Sequence, residues 1–464
     1  MNTYDFFRRF RFSPTKRKAT TPPGLPVWAN WLGMWLDPMR LLLESSRRYG
    51  DVLQLKSGPT PFFFVSHPDA IKHMLQDHHR QYVHWPRVHH KLRPLLGYGL
   101  LTSEGETWRR HHSLSQPAFH RKRLGMLVGT MADATAEIIA KWDRYAATGE
   151  PIDVNAEMGR LTLAIVTRAL YGLDASDQAE LVGSSLVKAI HHTARKLMIL
   201  FDFPDWLPLP GGRQFRQAVD ALDRVVYGII ENRQRQPQER NDLLAMLMEA
   251  REEGSSEGLS AQELRDEVMT LLLAGHETSA NGLTWTWYLL AQNPEVERRL
   301  HLEAVQVLGG RAPTFADLAN LPYTLKVFEE GLRLYPPAWI MSRYALVDDE
   351  IGGWPIPAGS IILFSPYVTH RLSAHWPDPE VFDPERFSDE RSAARPRYAY
   401  FPFGGGPRQC IGNNFALMEA QVILAMLAQR YRLEPLPGHT VDPRPAMDMH
   451  PRQPMMMRVV RREA

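Results

Sequence analysis

The chain has 464 residues, of which 44% are hydrophobic, and this content is sufficient for a large buried core. Its 54 basic and 52 acidic residues nearly balance, which argues against a nucleic-acid-binding role for the surface as a whole. A single cysteine excludes an intrachain disulfide and favours a reducing compartment, so we expect a cytoplasmic protein that binds no nucleic acid.

The first 25 residues form a basic segment that closes with the sequence TTPPGL. No apolar run here reaches the roughly 18 residues needed to span a bilayer, and no secretory apolar core is present. We therefore expect residues 1–25 to be a flexible lead without a transmembrane anchor, with a basic surface anchor as the alternative. Because no linker or internal repeat interrupts the middle of the chain, residues 26–464 are predicted to form a single domain.

A regular pattern begins at Pro38. PMRLLLESSRRYG predicts a helix that ends near Gly50, and DVLQLKS and PFFFVSH predict two short strands joined by a Gly-Pro turn. The stretch from His84 to Leu101 contains bulky residues without clear periodicity and is predicted to be a loop. Its paired histidines, His89 and His90, lack the further ligand spacing that a metal site requires.

The next stretch, GETWRRHHSLSQPAFHRKR, crowds several cations together. They form either a solvated face or a docking patch for an acidic protein, because clusters of one charge steer association. Amphipathic helices are predicted from Met126 to Glu252, with a loop from Asp202 to Gly212. The later string GSSEG matches a hydrolase nucleophile elbow in letters only, because no strand precedes it.

A long helix is predicted from about Leu259 to Gln292. Ser260 and Glu263 form a capping box at its start, and Asn293 stops it ahead of a proline. Its middle, LLLAGHETSA, is apolar on most sides, so the helix must cross the interior of a large domain. The His-Glu pair in this stretch is not a zinc motif, because the second histidine is missing.

The most informative stretch is FPFGGGPRQCIG, from Phe401 to Gly412, which contains the only cysteine, Cys410. It lacks the residues of a phosphate-binding loop or a dinucleotide fingerprint. One cysteine also cannot form a structural zinc site or a covalent heme attachment. The remaining interpretations are a single thiolate ligand or an inert buried cysteine. The predicted helix that follows, NNFALMEAQVILAMLAQRY, directs its positive dipole end towards the thiol.

The loop resembles the heme-binding loop of the cytochromes P-450, the heme-thiolate monooxygenases, at Phe403, Gly406, Arg408, Cys410 and Gly412. The resemblance implies that Cys410 binds the iron of heme b (iron protoporphyrin IX, thiolate-ligated). It also implies the family fold: mainly α with a small β-rich lobe, triangular, with the heme between the long central helix and the cysteine loop.

The central helix carries a second match. Its residues AGHET are similar to the oxygen-activation motif of the family. Ala274 and Thr278 lie four residues apart and share one helical face. In the family, Gly275 leaves room for O₂, while Glu277 and Thr278 supply protons as the catalytic pair.

Other positions match residues that hold the heme or shape its surroundings. The heme propionates would be bound by Trp108, His112, Arg343 and Arg408, although the family usually has arginine where His112 stands. A buried charge triad would brace the cysteine loop, and three residues would line the substrate pocket. The triad is Glu330, Arg333 and Arg386, and the pocket residues are Leu101, Ala338 and Trp339.

The function implied is a monooxygenase that activates O₂ with two externally supplied electrons and hydroxylates or epoxidises a hydrophobic molecule: a terpenoid, steroid or fatty acid. The electrons would come from a ferredoxin with its reductase, or from a flavodoxin, docking near Arg109, Arg110 and Lys122. Residues 58–64, GPTPFFF, lack the arginine and tyrosine that hold a fatty-acid carboxylate in some relatives. The alternatives are a peroxide-driven peroxygenase of the same fold and a non-catalytic heme sensor or electron carrier.

Overall fold

The structure, a computed structural model, describes residues 21–24, 27–56, 60–172, 176–198, 211–235, 242–252 and 256–462. The α-helices in these ranges, numbered α1 to α17 in chain order, are Val27–Leu36, Pro38–Tyr49, Pro68–Lys72, Pro86–Leu96, Gly105–Ser115, Arg121–Leu124, Val128–Thr148, Val154–Tyr171, Ser176–Met198, Gly212–Arg235, Leu243–Glu249, Ala261–Gln292, Pro294–Leu308, Pro322–Leu334, Pro366–Thr369, Asp389–Ala393 and Asn413–Ala428.

The β-strands are short and form several small sheets. In chain order, β1 to β12 are Val52–Gln54, Phe62–Val65, Tyr82–Val83, Ile152–Asp153, Met341–Ala345, Asp349–Ile351, Trp354–Ile356, Ile361–Phe364, Tyr431–Pro435, Pro443–Pro445, Met449–Pro451 and Met456–Arg461. One sheet has the order β1-β2-β8-β5-β3, in which β2 and β8 are parallel, and another has the order β4-β12-β9. The strands β6-β7 and β10-β11 form two hairpins. The mainly helical architecture with a small β-rich part is the predicted fold class.

Several predicted elements are confirmed near the N-terminus. Helix α2 begins after Asp37, whose side chain accepts the Arg40 N–H, and ends at Gly50, which has a φ of +99°. Strands β1 and β2 then pair as an antiparallel ladder. The basic lead, the Gly-Pro turn between these strands and nearly all of the predicted loop 202–212 lie outside the described residues.

The prediction of a loop between His84 and Leu101 is wrong, because helix α4 occupies residues 86–96. Pro86 starts it at a position where a missing N–H costs nothing, and His89, Leu92 and Leu96 form its buried face. This spacing of three and four residues is helical. Pro94 inside the helix and the bulky flanking residues obscured the pattern in the sequence.

The 32-residue helix α12 crosses the interior as predicted, and its capping box is present. It packs along α8 and also contacts α14 and α17. Trp285 and Trp287 are buried in its second half. The Trp285 indole N–H donates to the Met449 carbonyl at 3.1 Å, so this contact fixes the β10-β11 hairpin beside the helix. Within the described ranges, no helix has the length and apolar character required to cross a membrane.

Candidate active site

Cys410 lies between a 3₁₀ turn, Gly406–Arg408, and helix α17. The Cys410 N–H donates to the Phe403 carbonyl at 2.9 Å, which closes the loop. Gly406 has a φ of +66°, and a Cβ there would lie 1.7 Å from the Leu75 carbonyl oxygen. Only glycine therefore fits at this point of the loop.

The Cys410 thiol is surrounded by many protein atoms, yet its side chain is accessible. Burial raises the thiol pKa, and the Gly412 N–H directed at the sulfur lowers the pKa by a smaller amount. The side chain is nevertheless exposed, so the sulfur is accessible. An inert core cysteine would be packed on all sides. The accessible sulfur favours a ligand, because a metal cation removes the proton from a coordinating thiol.

The middle of α12 presents a short accessible stripe. Ala274 and Thr278 are exposed one turn apart, whereas the helix is buried over residues 264–273 and 279–287. The Thr278 hydroxyl donates to the Ala274 carbonyl at 2.5 Å, so its lone pairs remain available as acceptors. Gly275 is half-buried, and a Cβ there would lie 3.0 Å from the Val166 side chain on α8. The glycine thus permits close helix packing, and the direction of its missing Cβ does not itself make room for O₂.

Glu277 is the titratable group next to this stripe. Burial is the main cause that raises the pKa of its carboxyl to about 8, and the nearby charge of Asp448 raises this pKa further. The carboxyl group is therefore protonated near neutral pH. A protonated carboxyl on the residue that precedes Thr278 is suited to general acid catalysis.

Arg343, on β5, carries a charge that is almost fully buried. Its Nη1 donates to the Ser342 carbonyl at 2.8 Å, and no carboxylate of the described residues forms an ion pair with it. Burial lowers the pKa of its guanidinium to about 10, and the charge of Arg408 acts in the same direction, whereas the charge of Glu104 opposes both. A buried cation without an ion-pair partner is costly, so the site fits an anionic ligand.

Arg408 lies close to Trp108, with its guanidinium carbon 4.1 Å from the centre of the indole ring. Its Nη2 donates to the Ser103 carbonyl at 2.8 Å and pairs with the carboxylate of Glu104. The ring of His112 lies 4.9 Å from that of Trp108, and burial followed by the charge of Arg408 lowers the His112 pKa. His112 is therefore neutral near pH 7 and adds no charge of its own.

Glu104 was missed by the sequence reasoning. The His84 ring nitrogen Nδ1 lies 2.8 Å from the Glu104 carboxylate, and His89 is buried beside them. Burial acts to raise the pKa of Glu104, but the hydrogen bond from His84 and the charge of Arg408 outweigh it and lower the pKa to about 2. Nothing local in the sequence indicates this partner, because 304 positions separate it from Arg408.

The predicted triad residues lie together. The carboxylate of Glu330 accepts two bonds from Arg333, at 2.6 and 2.8 Å, and lies 3.3 Å from Nε of Arg386. Arg333 also donates to the His370 carbonyl, and Nε2 of His370 accepts the Phe401 N–H at 3.0 Å. This chain of contacts connects the buried ion pair to the first residue of the cysteine loop.

These donors fit heme in kind and number. Heme offers a metal for the accessible thiol and two carboxylates for the neighbouring guanidinium groups of Arg343 and Arg408, of which only Arg408 has a carboxylate partner among the described residues. A family model described as Cytochrome P450 matches residues 21–457. The chain belongs to the cytochrome P450 family. This P450 is accordingly a heme-thiolate enzyme of the monooxygenase class.

Similar proteins support the assignment over nearly the whole chain. Cyclooctatin synthase from Streptomyces melanosporofaciens is 38% identical over 451 residues, which cover 96% of this chain and 97% of the relative. Cyclooctat-9-en-7-ol 5-monooxygenase from the same organism is 35% identical over 442 residues, 92% of this chain and 93% of the relative. The crystal structure of the cytochrome P450DA heme domain superimposes with a TM-score of 0.86 at 25% identity, covering 95% and 98% of the two chains.

The residues predicted to line the substrate pocket of this P450 differ in exposure. Leu101 is exposed and Ala338 is half-buried. Trp339 is buried, packs in the apolar cluster with Phe64 and Met449, and donates its indole N–H to the Ala446 carbonyl at 3.0 Å. Of the neighbouring residues Ala338 and Trp339, only Ala338 is therefore accessible.

The cations predicted to dock a redox partner differ in whether they are exposed or paired within the protein. Arg109 and Lys122 are exposed. Arg110 pairs with Glu252 and Glu263 and donates to the Gly258 carbonyl at 2.8 Å. Because Arg110 holds the start of α12 in place, its charge is largely neutralised within the protein.

Proposed function

We propose that this P450 binds heme b through the Cys410 thiolate and oxidises a neutral cyclic terpenoid, using O₂ and electrons from a separate ferredoxin or flavodoxin. When bound, the heme supplies the iron at which O₂ is reduced and one oxygen atom is transferred to carbon. The observation that carries the proposal is the accessible stripe of Ala274 and Thr278 in an otherwise buried helix, together with an accessible Cys410 sulfur.

The protein residues would bind the heme, hold the cysteine loop in position and supply protons. Arg343 and Arg408 would bind the two propionates, with Trp108 and His112 beside them, and the chain of contacts from Glu330 would hold the cysteine loop in position. Glu277 holds a proton on its carboxyl near neutral pH. It would pass this proton to the hydroxyl oxygen of Thr278 while the hydroxyl releases its own proton into the active site. Since both groups adjoin the accessible stripe, protons arrive where oxygen is activated.

The substrate class rests on the pocket and on the relatives. One relative is named for cyclooctat-9-en-7-ol, a terpenoid alcohol. The accessible groups Leu101, Ala338 and Ala274 are apolar, and two of them are small. Dispersion and burial of apolar surface would hold a cyclic skeleton there, with few polar contacts.

A binding screen tests the substrate class. Heme-loaded protein is titrated with cyclooctat-9-en-7-ol, palmitic acid and progesterone while the heme Soret band is recorded. We expect the terpenoid to shift the band at the lowest concentration. Ala338→Phe should weaken this shift by about tenfold, because the added ring fills the apolar space. A saturating shift with palmitic acid and none with the terpenoid would assign a fatty-acid substrate instead.

Turnover tests the electron supply. A product that is one oxygen atom heavier should form with NADPH, a surrogate ferredoxin reductase and ferredoxin. Hydrogen peroxide alone should give much less product, since Glu277 and Thr278 are suited to O₂ activation. Faster turnover with peroxide than with the protein partners would favour a peroxygenase.

A further inference from the structure

We propose that Asp448 and His450, on the β10-β11 hairpin, relay protons to Glu277. This inference rests on the proposed role of Glu277 as the proton donor of the active site. It assigns a proton-conducting function to two residues that no motif in the sequence indicates.

Asp448 lies over the face of α12 that carries Glu277. Glu277 and Asn281 are four residues apart on α12 and share one face of the helix. The Asn281 side-chain amide donates to Oδ2 of Asp448. The Asp448 carboxyl therefore lies over the same face as the Glu277 carboxyl, and it is 13% exposed.

The Asn281 amide has a defined orientation. Its oxygen accepts a hydrogen bond from Nδ2 of Asn155 at 3.0 Å, and both residues belong to helices that pack tightly together. The Asn281 nitrogen must then point at Asp448, so Oδ2 of Asp448 is an acceptor. A proton that Asp448 carries has to sit on its other oxygen, Oδ1.

His450 is the partner of Oδ1 of Asp448. Nδ1 of His450 lies 3.2 Å from Oδ1 of Asp448, and the His450 side chain is 33% exposed. His450 can therefore exchange protons with water through Nε2 and with Asp448 through Nδ1.

The charges around Glu277 set the direction of transfer. Burial and the charge of Asp448 raise the pKa of Glu277 to about 8. The neighbouring His276 is buried, and burial lowers its pKa to about 4, so it is neutral and adds no positive charge beside Glu277. No cation among the described residues forms an ion pair with Glu277. Asp448, whose charge acts on Glu277, is therefore the carboxyl group proposed to return a proton to it.

The relay balances without a further reactant. Glu277 gives its proton to the Thr278 hydroxyl oxygen while that hydroxyl releases its own proton into the active site. The Nδ1 proton of His450 moves to Oδ1 of the Asp448 carboxylate, and Asp448 passes a proton to the Glu277 carboxylate. Water protonates Nε2 of His450, and exchange of the partly exposed ring with water returns the proton to Nδ1, so every protein group ends in its starting state. The hairpin does not depend on Asp448 alone for its position, because the Trp285 indole already anchors it to α12.

The test uses the ferric heme-loaded enzyme and the variants Asp448→Asn, Asp448→Glu and His450→Gln. Asp442→Asn is the matched control, because it makes the same change at an exposed position of the same segment. Infrared titration of the Glu277 carboxyl, identified by the band lost in Glu277→Gln, should give a lower pKa in Asp448→Asn than in the control. The amide oxygen introduced by Asp448→Asn would still accept the hydrogen bond from Asn281, so the fold should be unchanged.

Oxygen consumption driven by NADPH and surrogate redox partners is then measured in H₂O and D₂O. Asp448→Asn and His450→Gln should slow it by at least about tenfold and increase the solvent isotope effect, whereas Asp448→Glu should restore part of the rate. Control-like rates in both variants, even with a lowered Glu277 pKa, would overturn the relay. Control-like rates in Glu277→Gln itself would instead refute the proposed function of Glu277.

Discussion

Replacing Glu419 by glutamine should make the stability of the protein less dependent on pH. Glu419 lies on α17 and is fully buried, and neither carboxyl oxygen has a hydrogen-bond partner among the described residues. Burial raises its pKa from an ordinary value of 4.5 to about 8, and the nearby Ser279 hydroxyl offsets this rise in pKa only in part. The folded protein therefore keeps this carboxyl protonated at neutral pH.

The sign and size of the effect follow from linkage. Because the pKa is raised in the folded state, the stabilisation is complete below about pH 4.5 and is lost as pH rises through about 8. At 1.36 kcal/mol per pKa unit, the wild-type protein should lose about 3 kcal/mol between about pH 5.5 and about pH 8.5 through this group. Glutamine is neutral throughout and resembles the protonated acid in shape, so the variant lacks this loss.

Thermal unfolding at the two pH values measures the difference. For a chain of this length the entropy of unfolding is about 1 kcal/mol/K, so 3 kcal/mol corresponds to about 3 °C in Tm. The Tm of Glu419→Gln relative to wild type should rise by that amount from the lower to the higher pH. Glu390→Gln, at an exposed position, serves as the control and should show no such rise. Parallel Tm curves for wild type and Glu419→Gln would show that Glu419 does not hold a proton at neutral pH.

Three further substitutions test the site. Cys410→Ser should abolish the red-shifted Soret band of the reduced, CO-bound protein, because that band requires a thiolate; its retention in a folded variant would remove Cys410 as the ligand. Thr278→Ala should uncouple turnover, so that NADPH consumption continues while product falls and peroxide rises several-fold; unchanged coupling would make Thr278 a packing residue. Arg343→Leu should stabilise the heme-free protein, since it removes a buried unpaired charge, yet speed heme loss by about tenfold, since a propionate partner is missing. Heme transfer to apomyoglobin measures this rate, and wild-type heme loss would separate Arg343 from the propionates.

Local signals in the sequence predicted the long helix and the cysteine loop well. The capping box of Ser260 and Glu263 is a contact between residues three apart, so it is legible without a fold. The glycines around Cys410 indicated a chain that passes close to other groups, and Gly406 does pass against the Leu75 carbonyl. The pair Glu330 and Arg333 was likewise local, although its burial was not visible in the sequence.

Other features exist only once distant segments meet. Helix α4 could not be recognised in the sequence because Pro94 and its bulky neighbours weaken the helical pattern. In the folded protein, the packing of Leu92 and Leu96 stabilises the helix. Glu104 reaches Arg408 across 304 positions, so no local spacing encodes the pair.

The sequence by itself determined the family chemistry, because a thiol in a glycine-rich loop and an acid–alcohol pair on a helix are local patterns. Only the tertiary structure decided the protonation of the buried acids. The pKa of Glu277 depends on Asp448, which the chain brings beside α12 from 171 positions further on, and on the loss of water around both. Burial and charge are properties of the folded surroundings, and for that reason they cannot be read from the order of the residues.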